Sequence, residues 1–173
     1  MMLGHCELSG RSGHEAGREL LAALYREATG EDLPPIAIAE KGKPYFAGSP
    51  WHFSISHTKH HAFCALSRKA VGLDAEELDR TVHLKLAEKI LSPMEWQQYE
   101  AAADKHRAFL TFWVLKEAQA KLTGEGLRIY PNHTNFSLED SRVTQIDGCL
   151  VAVLEEGDDH AVCPPCPSGR PRL

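Results

Sequence analysis

Between Ala108 and Leu115 the chain reads Ala-Phe-Leu-Thr-Phe-Trp-Val-Leu, and Lys116, Glu117 and Lys121 follow at once. A run that is apolar on nearly every face fits a helix packed on several sides, so charges that continue it need a reason. At helical spacing Phe109, Trp113, Glu117 and Lys121 fall on one stripe, and the Glu and Lys extend an apolar row. They are either a surface i,i+4 pair where the helix emerges, or charges held against something inside.

The rest of the chain supplies short elements around this helix. An amphipathic helix is predicted from about His14 to Ala28, stopped at Gly30. Leu33 to Ala39, Phe53 to Ser56, Ala62 to Leu66 and Ala70 to Leu73 read as short strands of a small sheet. Helices are predicted over Thr81 to Leu91, Pro93 to Ala103 and Arg107 to Leu122, the last stopped by Gly124 and Gly126. Strands return at Asn135 to Leu138, Val143 to Ile146 and Leu150 to Leu154, with Asp147-Gly148 as a hairpin turn between the last two. The tail Cys163 to Leu173 has Pro at four of its eleven positions and is expected to be disordered.

With 173 residues and 43% hydrophobic content the chain can bury a core of its own. A net charge of −5 without a basic block does not imply a surface for nucleic acid or an anionic membrane. No apolar run reaches the roughly 20 residues of a membrane span, and no secretory signal opens the chain. Five Cys at irregular spacing fit reduced thiols, with Cys64 and Cys149 in the core, and a cytoplasmic protein is expected.

Asp74 and Glu76 close the apolar run Ala70 to Leu73, and in an extended chain residues i and i+2 project to one face. Two carboxylates so placed either hold a hard cation such as Mg²⁺ or belong to a solvated acidic turn that Glu77 and Asp79 continue. Ser92-Pro93-Met94-Glu95 has the form of a capping box, with Ser at the N-cap and Glu at N3; metal ligation is the competing role for Glu95. Ser54-Ile55-Ser56-His57 puts hydroxyls and an imidazole at a strand end, with His52, His60 and His61 nearby. Zinc is not implied, because no Cys/His quartet has structural-zinc spacing and Cys163-Pro-Pro-Cys166 has only His160 near it. No Gly-x-Ser-x-Gly elbow surrounds either Ser, and no glycine-rich phosphate loop is present. Lys43, in Lys41-Gly42-Lys43-Pro44, offers a cation on a turn.

Taken in order, Gly42-Lys43-Pro44, Phe53-Ser54-Ile55-Ser56-His57, Val71-Gly72-Leu73-Asp74-Ala75-Glu76, Glu95 and Trp113-x-x-Lys116-Glu117-Ala118-x-x-Lys121 form a pattern. It resembles the 4′-phosphopantetheinyl transferase superfamily, of the surfactin-synthetase-activating type, over roughly Lys41 to Leu127. The resemblance implies an α+β fold of two similar subdomains in pseudo-twofold arrangement, residues 1–68 and 69–162, with the site between them and a monomer as the unit. It implies transfer of the phosphopantetheine arm of coenzyme A to a serine of an acyl or peptidyl carrier protein, releasing adenosine 3′,5′-bisphosphate.

By the same resemblance Asp74, Glu76 and Glu95 hold Mg²⁺, Glu117 is the base, directly or through water, and Lys116 and Lys121 meet the phosphates. Lys43, Ser56 and His57 hold coenzyme A. The stretch before Lys43 is short for this type, and Arg11 and Arg18 are its candidate phosphate cations. Glu95→Gln is expected to lose activity with little loss of stability. The rival readings are an Mg²⁺-dependent phosphotransferase or pyrophosphate hydrolase, and a non-catalytic carrier-binding module.

Overall fold

The computed structural model describes residues 1–82, 84–126 and 134–158. The tail with Cys163 and Cys166, and His160 before it, lie outside the described residues.

Two three-stranded antiparallel sheets form the frame. The first joins β1 (Met2–Glu7), β5 (His61–Ser67) and β4 (His52–His57) in the order β1-β5-β4. The second joins β6 (Val71–Glu77), β8 (Cys149–Glu155) and β7 (Val143–Ile146) in the order β6-β8-β7. A small ribbon pairs β2 (Ile36–Ile38) with β3 (Pro44–Phe46). The helices are α1 (Gly13–Thr29), α2 (Leu84–Ile90), α3 (Pro93–Ala101) and α4 (Lys105–Thr123).

Strand alternation explains the layers. On β5, Cys64 and Leu66 face α1 and its Leu21, Leu24 and Tyr25, while Phe63 and Ala65 face the other way. On β8, Leu150, Ala152 and Leu154 pack under α4, while Cys149, Val151 and Val153 join Phe63 and Ala65. Both central strands are buried on both faces, which is why they read as continuous apolar runs. The layer between the sheets also takes Val71, Leu73 and Ala75 of β6.

The sheets are also tied at their edges. Ser54 Oγ accepts the Leu73 N–H at 2.9 Å and Ser56 Oγ accepts the Ala75 N–H at 3.3 Å, so two hydroxyls of β4 satisfy edge donors of β6. The predicted hairpin turn is present, with Asp147 at φ 47° and Gly148 at φ 75°.

Three expectations change. Asn135 to Leu138 is not a strand: the Phe136 and Leu138 N–H groups go to the side chains of Glu95 and Gln98, and Gln98 also donates to the Phe136 carbonyl. Helix α3 thus stands in for a neighbouring strand. The acidic end of β6 is part of the strand and not a turn, since pairing with β8 continues to Glu77 opposite Cys149. Finally β1, unread in the sequence, pairs along β5 from Met2 opposite Leu66 to Glu7 opposite His61.

Candidate active-site cleft

Helix α4 lies directly on β6, and Gly72 makes this possible. A Cβ there would sit 2.0 Å from the Ala118 carbonyl oxygen and 2.5 Å from the Leu122 nitrogen. With Val71, Leu73 and Ala75 turned into the layer between the sheets, Gly72, Asp74 and Glu76 take the face toward the helix. The stripe of α4 above them runs antiparallel to the strand: Trp113 Nε1 donates to Glu76 Oε1 at 3.0 Å, and Lys121 Nζ donates to Asp74 Oδ1 at 2.8 Å. Arg80 pairs with Glu76 and lies over the Trp113 ring.

Asp74 is buried and divided in its bonding. Its Oδ1 accepts from Ser56 Oγ at 2.9 Å as well as from Lys121, while Oδ2 is buried without a hydrogen-bond partner among the described residues. Glu117 stands between Trp113 and Lys121 on the helix stripe. Burial, and then the charge of Asp74, push its carboxyl up to about 7, against the pull of Lys121 and Arg80. An unsatisfied buried carboxylate oxygen beside a second, partly buried carboxyl is a donor set suited to a hard divalent cation.

Lys121 and Glu117 also line a cavity of about 520 Å³ that opens between α1, the β2–β3 ribbon, β4 and the end of α4. Arg18, Lys41, Lys43, His14 and His57 bring its remaining basic groups, and Ile36, Ile38, Phe53 and Ile55 its apolar surface. Lys43 reaches across to the helix: its Nζ donates to the Leu122 carbonyl at 2.7 Å, where the last turn of α4 has carbonyls to satisfy. Burial lowers the Lys43 pKa. His57 lies against Gly13, where a Cβ would come within 2.4 Å of the ring, so α1 starts close beside the cavity.

Of the site residues read from sequence, Asp74, Glu76, Ser56, Glu117 and Lys121 meet in one constellation, and Lys43, His57 and Arg18 line the adjoining cavity. Three do not join them. Glu95 is fully buried and spent on structure: it accepts from the Ser92 and Phe136 N–H groups and from Lys116 Nζ at 2.8 Å. The capping reading of Glu95 therefore replaces the metal reading. Lys116, one residue from Glu117, is rotated about 100° around the helix. It is buried with Glu95 and donates to the Thr134 carbonyl, so it does not meet phosphate from there. Burial drives the Glu95 pKa up and the Lys116 pKa down, each opposed by the other's charge.

Arg11 also points elsewhere, bonding Glu19 and the Leu8 and Glu7 carbonyls. His14 and Lys41 were missed in the sequence. His14 sits four residues before Arg18 on α1, a helical neighbour that could have been found from Arg18, whereas Lys41 needed the path of the ribbon.

Residues 70–161 match a family described as the 4′-phosphopantetheinyl transferase superfamily. Similar proteins include a 4′-phosphopantetheinyl transferase of Bacillus subtilis, 28% identical over 85% of this chain and 71% of its own length. A 4′-phosphopantetheinyl transferase, gsp, of Aneurinibacillus migulanus is 35% identical over 52% of this chain and 38% of its own. The 4′-phosphopantetheinyl transferase HetI of Nostoc sp. is 31% identical over 65% of this chain and 52% of its own.

Proposed function

The chain belongs to the 4′-phosphopantetheinyl transferase superfamily, and from that premise we propose that it transfers the 4′-phosphopantetheine of coenzyme A to a serine hydroxyl of an acyl or peptidyl carrier protein. Adenosine 3′,5′-bisphosphate is the leaving group. The observation that carries this reading is the contact of Asp74, with its orphaned Oδ2, and Lys121, which with Glu117 lines a cavity bearing several cations.

Placement supports the following roles. Arg18, Lys41, Lys43, His14 and His57 face the coenzyme A phosphates, and the apolar wall of Phe53, Ile36 and Ile38 takes its less polar parts. Asp74, Glu76 and Glu117 would hold Mg²⁺, with Glu117 in the place first given to Glu95. These three carboxylates are not within 4.8 Å of one another as a group, which suits an ion that commonly keeps several waters. When bound, the ion neutralises charge on the pyrophosphate. Lys121 supports the charge developing on the transferred phosphoryl group, and Ser56 fixes the Asp74 carboxylate. Glu117 takes the serine proton, directly or through water.

We also propose the division into two similar halves, 1–68 and 69–162. Each holds a three-stranded antiparallel sheet with a helix on one face, α1 on β5 and α4 on β8, and the border falls between β5 and β6. The unit is a monomer acting in the cytosol. None of the described helices is long and apolar enough to cross a membrane.

The test is mass spectrometry of an apo carrier protein incubated with coenzyme A, Mg²⁺ and this protein. A phosphopantetheine adduct on the serine is expected. Cleavage of coenzyme A without a carrier, or no adduct on any carrier from the same organism, overturns the reading.

A further inference from the structure

Glu76 and Glu77 are neighbours in sequence, but strand alternation turns them to opposite faces of β6. Glu76 faces α4 and the cleft, while Glu77 shares its face with Ala75 and Leu73, toward the layer between the sheets. At that end of the layer it meets two partners. Cys149 lies directly opposite it on β8, and His61 has the same parity on β5 as Phe63 and Ala65. One ligand atom from each of His61, Glu77 and Cys149 lies within 4.8 Å of the others, the only such trio of metal-ligand side chains among the described residues.

We propose that His61, Glu77 and Cys149 form a second cation site, separate from the Mg²⁺ cleft, for a borderline-soft divalent ion of the zinc class. Water or another small donor fills the fourth position. One imidazole, one carboxylate and one thiolate is a ligand set that zinc takes readily and magnesium does not. The separation agrees: His61 Nδ1 and Cys149 Sγ are 3.8 Å apart. A tetrahedral ion with Zn–N of about 2.0 Å and Zn–S of about 2.3 Å requires roughly 3.5 Å between those atoms.

The surroundings hold the ligands in place. Glu77 Oε1 accepts from the His60 N–H at 2.9 Å and lies 3.0 Å from His60 Nδ1, which orients the carboxylate from outside. Thr58 Oγ1 accepts the His60 and His61 N–H groups and fixes the turn that presents both imidazoles. Asp147 lies beside the thiol's own strand end and pairs with His5 at 3.2 Å. Burial, with the negative charges of Glu77, Asp147 and Asp79, keeps the thiol protonated without an ion. Binding therefore exchanges the thiol proton, released to solvent, for the ion. The site clamps β5 of one sheet to β6 and β8 of the other.

The spacing 61, 77, 149 has no motif form, so no reading of sequence intervals could find it. The experiment is titration of the reduced, chelator-treated full chain with Co²⁺ under saturating Mg²⁺, which occupies the oxygen ligands of the cleft. One equivalent of Co²⁺ should give a thiolate-to-cobalt charge-transfer band with tetrahedral d–d absorption, and Zn²⁺ should displace it. Cys149→Ser should abolish the band, and His61→Gln and Glu77→Gln should each weaken Co²⁺ binding at least about tenfold. Cys163→Ser/Cys166→Ser should leave it unchanged. Because Cys149 is fully buried, folding of its variant is checked by circular dichroism, and the His61 and Glu77 variants decide if it fails. Absence of the band, its loss in the tail variant, or its persistence in both His61→Gln and Glu77→Gln overturns the proposal. None of these readouts depends on transferase activity.

Discussion

Lys121 Nζ lies 2.8 Å from Asp74 Oδ1 and 3.4 Å from the Ile55 carbonyl, so one ammonium touches the last helix, the second sheet and the first sheet together. On the role proposed for Lys121, Lys121→Met removes the positive charge that supports the transferred phosphoryl group and should lower kcat about a hundredfold or more. Asp74→Asn should lower it comparably and also remove the Mg²⁺-dependent rise in Tm. Steady-state kinetics and thermal melts with and without Mg²⁺ check both.

Glu117 makes stability depend on pH and on the ion together. Its carboxyl is raised to about 7 in the folded chain from an ordinary 4.5. Between those values the folded state keeps a proton that the unfolded state has lost. Stability without metal should therefore fall as pH rises from about 4.5 to about 7, by about 1–2 kcal/mol once the half-buried position is allowed for. Glu117→Gln should flatten this dependence. Mg²⁺ should raise Tm more at pH 8 than at pH 6, because at pH 8 it no longer competes with the proton.

Glu95 and Lys116 give a prediction opposite to the one drawn from sequence. Their side chains are 0% and 2% exposed, so Glu95→Gln leaves a buried ammonium without its countercharge. A loss of about 3 kcal/mol is expected, with near-normal kcat in the fraction that remains folded. Lys116→Met should behave alike, and the double variant should lose less than the sum. Denaturant unfolding and active-site-normalised rates separate the two readings.

How much was legible follows from periodicity. The stripe Trp113, Glu117, Lys121 and the i,i+2 pair Asp74 and Glu76 were readable because helix and strand periods fix which side chains share a face. Lys116 fails by the same rule, since one step along a helix turns a side chain away from the stripe. Glu95 carried two physically sound roles in one motif, and only the position of Phe136 and Lys116 decides between them. Phe136 itself was misread as strand because α3 side chains satisfy its backbone.

The cations of the cavity separate in the same way. Arg18 lines it and Arg11 does not, being held by Glu19 and by backbone carbonyls. Arg18→Gln should raise KM for coenzyme A about tenfold, worth about 1.4 kcal/mol. Arg11→Gln should leave KM within about twofold. Initial rates over a range of coenzyme A concentration distinguish them.

The absent side chain of Gly72 sets a dimension on which the proposed chemistry depends. It fixes how near α4 sits to β6, and hence how far Glu117 and Lys121 stand from Asp74. A methyl group at that position would act as a shim under the helix, widening the gap without touching a charged residue. The spacing of this proposed catalytic row is thus gauged by backbone against backbone, at a residue that contributes no functional group to it.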